Sequence, residues 1–375
     1  MTVVKSLGEL SLITMGQSPS STSYNTDGDG LPFFQGNADF GLETPIASTW
    51  CTEPKKIAEP GDLLVSVRAP IGAVNVADSE CCIGRGLVSI RPDTSVIDPD
   101  YLKQCLLANS KRLASLGTGS TFKAVGKSVL NSFEIPVYGL DEQKSIARRF
   151  SKVMILNRLT RKMLAKTEEL VQSRFVEMFG DPSRERVTLA DVCDFYSGGT
   201  PSKRKPEYWN GTLPWFSPKD MKRPVLDDSI DHISDIVVEQ TSLRLLPSDT
   251  VVIVVRGMIL AHDVPVSIIT VPATINQDMK ALIPKPGKEC DSVYLAAAIR
   301  SQENYLLAET SSSAHGTKKI DATVLGAVSI PEADIHEQRK FAAFVRQVES
   351  LKTDLNQQLD RLNTLYDSLT QRYFA

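Results

Sequence analysis

Hydrophobic and polar positions along the chain fall into two successive cycles of the same order. Each cycle opens on short alternating or wholly apolar runs and closes on a long stretch of helical spacing. GDLLVSV (Gly61–Val67) and DTVVIVV (Asp249–Val255) predict buried strands, each after a turn. DPDYLKQCLLANSKRL (Asp98–Leu113) and SVYLAAAIRSQENYLL (Ser292–Leu307) predict one helix apiece. After Ile135-Pro136 and Ile330-Pro331 the pattern turns helical, near Asp141 and near Asp334. Asp334 with Glu337 three residues on fits an N-cap and its partner. Gly180-Asp181-Pro182 ends the first long helix at about Phe179, and the second continues through the last residues. The expected organisation is mixed strand and helix over 1–140 and 181–333, with long helices over 141–180 and 334–375.

The two cycles are copies. Leu7-Gly8-Glu9-Leu10 faces Leu189-Ala190-Asp191-Val192, Gly16-Gln17-Ser18-Pro19-Ser20 faces Gly198-Gly199-Thr200-Pro201-Ser202, and Leu31-Pro32-Phe33-Phe34 faces Leu213-Pro214-Trp215-Phe216. Pro60-Gly61-Asp62 pairs with Pro247-Ser248-Asp249, Val67-Arg68 with Val255-Arg256, and Tyr101-Leu102 with Tyr294-Leu295. IPVYGLDEQK (Ile135–Lys144) returns as IPEADIHEQR (Ile330–Arg339). Ordered matches with drifting insertions mean one unit, duplicated.

The second long helix carries a heptad: Leu355, Leu362 and Leu369 at one seam position, Leu359, Tyr366 and Tyr373 at the other. The matching first-helix positions are Thr160, Thr167 and Arg174, then Leu164, Val171 and Met178. Half of that seam is polar, which disfavours self-pairing, so the two helices are expected to pack on each other; packing of each on its own domain is the alternative. Thirty-nine residues of helix span about 58 Å at 1.5 Å per residue, more than the ~34 Å of one DNA turn. Antiparallel packing would give the chain pseudo-two-fold symmetry, the arrangement by which dimeric readers face two half-sites.

Composition adds boundaries. The chain has 375 residues, 42% apolar and 23% charged, room for two or three globular domains. No apolar run is long enough to span a membrane, and the first residues lack the apolar core of a signal peptide. The six cysteines show no CxxC spacing, and we read them as reduced thiols in a cytoplasmic protein. The net charge of −3 argues against a globally basic nucleic-acid binder, though binding depends on local charge.

The motifs of catalysis are missing. Gly117-Thr118-Gly119-Ser120 is not a dinucleotide loop, and Gly126-Lys127-Ser128 has Thr121 where a P-loop needs glycine. No (Asp/Asn)-Pro-Pro-Tyr type motif occurs. Pro92-Asp93 lies far from Glu142-Gln143-Lys144, against a nuclease site. His232, His262, His315 and His336 have no metal or nucleophile spacing. No catalytic residue, metal site or cofactor is expected in this chain.

Candidate DNA contacts are easier to name. Ser197–Arg223 holds Lys203, Arg204, Lys205, Lys219, Lys222 and Arg223 against Glu207 and Asp220, with Tyr208, Trp209, Trp215 and Phe216 between. Such a cluster can neutralise phosphates, with Thr200 close by; the alternative is a solvated loop whose aromatics pack inward. The equivalent stretch Gly16–Gly41 has no Lys or Arg but offers Gln17, Ser18, Tyr24, Asn25, Gln35 and Asn37, and amides suit adenine. Arg68 and Arg256 end matched strands, and Arg85 and Lys280 lie near another matched pair of segments. Thr121, Phe122 and Lys123 face Thr317, Lys318 and Lys319 before the repeated Ile-Pro. The first long helix carries nine Lys/Arg against five Asp/Glu, a solvated face or a partner surface.

With these motifs in place, the sequence resembles the specificity subunits of type I restriction–modification systems over nearly its whole length. The resemblance rests on the repeat, on the Ile-Pro…Glu-Gln-Lys run with its echo, and on Phe-x-x-Met-Phe-Gly-Asp-Pro at Phe175–Pro182. GQSPSS…YN…GLPFFQG (from Gly16) and SGGTPSK…YWNG…PWFSPKDM (from Ser197) are similar to starts of target recognition domains in that family. It implies an α+β fold in which two similar target recognition domains are separated by two long helices forming an antiparallel coiled coil. Each domain would read half of a bipartite, asymmetric site in double-stranded DNA. The helices would space the halves and dock two adenine methyltransferase subunits, which bind S-adenosylmethionine. The resemblance also admits a restriction subunit that uses ATP and Mg. The competing expectations are a non-catalytic tandem-domain scaffold and the specificity subunit of a phage-defence methylation system without restriction.

Overall fold

The computed structural model describes residues 3–119, 123–312 and 317–374. Thr121, Phe122 and His315, singled out above, lie outside them. The chain divides into two compact α+β units, Met1–Arg161 with Gln357–Ala375, and Lys162–Asn356.

In the first unit a four-stranded antiparallel sheet has the order Ser11–Met15, Leu87–Pro92, Leu63–Ser66, Val74–Val76. In the second the same order recurs as Cys193–Ser197, Met279–Pro284, Thr250–Val254, Val266–Ile269, extended by Val225–Leu226. Each unit adds a second sheet of short strands, five in the first unit and three in the second, built on one parallel pair: Leu31–Phe34 beside Cys81–Ile83, and Leu213–Phe216 beside Thr274–Ile275. The apolar runs GDLLVSV and DTVVIVV form interior strands, trimmed to Leu63–Ser66 and Thr250–Val254, and every position of both is buried.

Strand register moves one of the sequence matches by a residue. Pairing with the neighbouring strands sets Val65 opposite Val88 and Ile253 opposite Lys280. Gly61 therefore corresponds to Asp249, and Asp62 to Thr250, rather than Asp62 to Asp249. Both turn residues are left-handed, Gly61 at φ +90° and Asp249 at φ +63°. Asp is among the few side chains that visit this region readily.

The helices expected as single pieces are each broken in two, into Pro99–Ala108 and Ser110–Ser115, and into Ser292–Arg300 and Glu303–Ala308. At the first break the Asn109 side chain donates to the Cys105 carbonyl at 3.0 Å. Near the second, Ser301 Oγ donates to the Ala298 carbonyl at 2.7 Å. Side chains that bond their own backbone favour helix ends.

The long helices are Leu140–Phe179 and Ile335–Phe374. Asp334 caps the second, accepting from the N–H groups of His336 and Glu337 at 2.8 and 2.9 Å. Glu337, expected to complete that cap, instead pairs with Arg184 at 2.8 Å, which holds its carboxyl below the usual range.

The repeated Ile-Pro…Glu-Gln motif is a clasp. Gln143 is fully buried; its Oε1 accepts from Asp98 N–H at 2.8 Å, and its Nε2 donates to the Val96 and Tyr138 carbonyls at 3.1 and 2.8 Å. Gln338 repeats this with Asp291 N–H at 2.8 Å and the Ala333 carbonyl at 2.9 Å. The Tyr101 hydroxyl donates to the Pro136 carbonyl at 2.6 Å, and Tyr294 makes the same bond to Pro331. Each long helix is thus locked at its start to the helix and strand before it.

Within each unit the two long helices lie side by side in opposite directions. In the first, Phe150 packs on Tyr366 and Phe374 with centroids 5.3 and 5.1 Å apart, and Asn157 donates to Asn363 at 2.8 Å. In the second, Phe175 and Phe179 pack on Phe341 at 5.5 and 5.7 Å. Leu355, Leu359, Leu362 and Tyr373 are buried, and Tyr366, Leu369, Leu164, Val171 and Met178 are half-buried. The polar seam residues Thr160 and Thr167 are buried too, their hydroxyls donated to the Leu156 and Leu164 carbonyls at 2.9 and 2.6 Å.

Candidate nucleic-acid interface

Two matched glycines build the site in each unit. After Ser11–Met15 the chain crosses the turn that follows Cys81–Ile83 so closely that a Cβ on Gly16 would lie 2.1 Å from the Gly84 carbonyl oxygen. In the second unit a Cβ on Gly198 would lie 2.0 Å from the Ile275 oxygen. Only glycine permits this approach.

In the first unit the crossing brings Ser18 onto Arg85, whose backbone N–H donates to Ser18 Oγ at 3.3 Å. Ser66 Oγ lies 2.8 and 2.9 Å from the carbonyls of Arg68 and Pro70 and pins the loop after the interior strand. The result is a cleft of about 300 Å³ lined by Ser18, Gln35, Gly36, Asn37, Ser66, Arg68, Ala69, Arg85 and Gly86. Five residues singled out from the sequence therefore meet: Ser18, Gln35, Asn37, Arg68 and Arg85. Gln17 is exposed outside this lining. Tyr24 has its hydroxyl on the Pro19 carbonyl at 2.9 Å and its ring 4.7 Å from Phe33, a packing position. Lys123 is exposed and precedes Ala124, which bridges to Arg68.

In the second unit the Thr200 hydroxyl donates to Gln277 Oε1. Arg256 is exposed and bridges to Lys319, and Gly257 N–H donates to the Lys318 carbonyl at 3.0 Å. Lys319 pairs with Asp321 at 2.9 Å. Lys280 donates to Ser197 Oγ at 2.8 Å, and burial pulls its ammonium below the usual lysine range. Pairing of Phe33 with Cys82 and of Trp215 with Thr274 sets Gln277, not Lys280, opposite Arg85. Sequence reading passed over Gln277; the strand offset between Cys82 and Thr274 was the signal that could have found it.

The basic loop divides. Lys203, Arg204 and Lys222 are exposed. Lys205 is tethered to Tyr208 by a 2.9 Å hydrogen bond, which raises its pKa. Lys219 is paired with Asp231, and Arg223 with Asp227 at 2.8 Å. Tyr208 and Trp215 are buried, with Trp209 edge-on to Trp215 at 5.2 Å, so these aromatics hold the loop from inside.

Among the described residues no three His, Cys, Asp or Glu are grouped as metal ligands would be, and no helix is long and apolar enough to cross a membrane. Burial pushes the Cys81, Cys105 and Cys193 thiols up to about 12, far from a nucleophile's range.

Comparison with known proteins agrees with the repeat. The family model described as the type I restriction modification DNA specificity domain matches twice, over residues 2–169 and 184–363. A Methanocaldococcus jannaschii chain, provisionally named the MjaX type I restriction enzyme specificity subunit, is 42% identical over 150 residues, 40% of this chain and 35% of that one. The EcoR124I/EcoR124II specificity subunit of Escherichia coli is 33% identical over 228 residues, 58% of this chain and 56% of that one. The chain thus spans about half or less of these relatives' lengths. The crystal structure of a type I restriction–modification S subunit from M. genitalium superposes with a TM-score of 0.62 at 16% identity, covering 100% of this chain and 96% of the other.

Proposed function

Because the chain belongs to the type I restriction modification DNA specificity family, we propose that it selects the DNA sequence for a multi-subunit modification enzyme and performs no chemistry itself. The regions 1–140 and 181–333 are the two target recognition domains, each reading one half of a bipartite, asymmetric duplex site. The paired long helices set the number of unread bases between the halves and dock two adenine methyltransferase subunits. S-adenosylmethionine binds to those subunits, and ATP and Mg²⁺ to any restriction subunit. The target adenine leaves the base stack to reach the partner's active site. The complex works in the cytoplasm, where the partners contribute much of the positive clamp that a chain of net charge −3 lacks.

One observation carries this reading. The chain builds the same glycine crossing twice and mounts polar and basic side chains beside each: Ser18, Arg68 and Arg85, then Thr200, Arg256 and Gln277. A genome-wide map of N6-methyladenine in the source cells, with and without the gene, tests it. The expected result is a split, asymmetric motif that vanishes on deletion. Unchanged methylation in cells expressing the partner methyltransferase would overturn it in favour of a scaffold.

A further inference from the structure

Both half-sites present the same sugar–phosphate backbone, but not the same bases. Resting on the reading above, this sorts the side chains at matched positions of the two units. Groups kept in both suit what the half-sites share; groups that differ suit what they do not.

Arg68 and Arg256 are kept. Each follows a valine, Val67 or Val255, whose N–H donates to the equivalent carbonyl of Gly86 or Asp278 at 2.9 or 2.8 Å. Arg85 and Gln277 differ. Each is exposed, stands two residues beyond the matched parallel strand, and meets the hydroxyl residue delivered by the glycine crossing.

Their chemistry points to different bases. A guanidinium presents two parallel donors, and guanine presents two acceptors, O6 and N7, in the major groove. A glutamine amide presents one donor and one acceptor, matching N7 and the N6 amino group of adenine. In the first unit the arginines in ion pairs among the described residues are Arg91, Arg112 and Arg158, none of which lines the cleft, whereas Arg68 and Arg85 line it and are exposed. In the second, the Thr200 hydroxyl fixes Gln277 Oε1 as the acceptor end and leaves that oxygen a second lone pair. We propose that Arg85 reads a guanine in one half-site, that Gln277 reads an adenine at the corresponding place in the other, and that Arg68 and Arg256 hold equivalent phosphates.

The test is selection from a randomised duplex library by the full-length chain, purified with the subunits it binds. Wild type, Arg85→Gln, Arg85→Lys, Gln277→Arg and Arg68→Ala are compared. The wild type should select a split motif with guanine in one half and adenine in the other. Arg85→Gln should change that guanine column alone, by about 5- to 150-fold in discrimination, the range of one bidentate pair. Arg85→Lys should relax the same column while retaining affinity, because the charge stays and the fork is lost. Gln277→Arg should turn the adenine column of the other half towards guanine. The untouched half serves in each case as the control for folding. Arg68→Ala should alter no column, weaken all selected sequences alike, and lower the salt slope by about 1. A motif whose columns withstand Arg85→Gln, with affinity reduced for every sequence, would make Arg85 a phosphate contact and overturn the proposal alone. Absence of any selected motif would overturn the DNA-reading function itself.

Discussion

The two units share one backbone plan and differ in what they bury at its centre. In the first, Asp62 is 2% exposed and accepts from Arg91 Nε and Nη2 at 2.8 and 3.1 Å, Ser89 Oγ at 2.6 Å and Glu59 N–H at 2.9 Å. In the second, Thr250 takes its place and donates to the Pro247 carbonyl at 2.7 Å, while Ala281 and Ile283 stand where Ser89 and Arg91 would be. An ion network has been exchanged for apolar packing with the sheet order unchanged. Such an exchange is close to neutral when made as a whole and costly when half made. The duplicated fold therefore tolerates divergence inside as long as each set of partners changes together.

The clasp shared by both units gives the largest expected effect. Gln143→Leu removes the partner of three half-buried backbone groups and should cost the first unit about 4 kcal/mol, while Gln338→Leu, losing two such bonds, should cost the second about 3 kcal/mol. Separate transitions in calorimetry would check both, and equal losses would break the comparison. Arg91→Met strands the Asp62 carboxylate and should cost the first unit about 3 kcal/mol, with no counterpart in the second.

The same network makes the first unit more sensitive to acid. Burial pushes the Asp62 carboxyl up, but hydrogen bonds from Arg91, Ser89 and the Glu59 N–H outweigh it and leave the pKa below normal. A lowered folded-state pKa means stabilisation present above the unfolded value of about 3.9 and lost as pH falls through the folded value. The transition of the first unit should drop more steeply below pH 4 than in an Asp62→Asn variant. On the DNA side, replacing Lys203, Arg204 and Lys205 by Ala should weaken binding by the complex and lower the salt slope by up to about 3. Unchanged affinity at moderate salt would remove the loop from the interface. The smallest effect belongs to the turn: Asp249→Gly should stabilise the second unit by about 0.5 kcal/mol, and Gly61→Ala should destabilise the first by about 1 kcal/mol.

Much of the fold was legible because duplication prints each signal twice. The start of the second long helix and the end of the first came within a residue of those observed, since the Asp334 cap and the Gly180-Asp181-Pro182 stop are local signals. The helix breaks at Asn109 and Ser301-Gln302 were not legible, because apolar spacing runs on across them and only a side chain's bond to its own backbone decides. The turn match slipped because Pro-x-Asp reads alike in both copies while the one-residue gap is set by strand register. At the site, Ser18, Gln35, Asn37, Arg68 and Arg85 were named separately, and their meeting in one cleft depends on a glycine crossing that spacing does not reveal. The role of Gln143 was hidden by its polarity: a fully buried glutamine looks like a surface residue until its three partners are counted.

The helix end at Tyr373 and Phe374 also bears on when each unit becomes complete. Tyr138 donates to the Tyr373 carbonyl across 235 residues of chain, and Phe374 sits against Tyr101 and Phe150 in the first unit's core. The second unit closes on itself from one uninterrupted stretch, Lys162–Asn356. During synthesis from the N-terminus, the half of the molecule made first is therefore finished last. Its core waits, part open, until the last turns of the second long helix emerge.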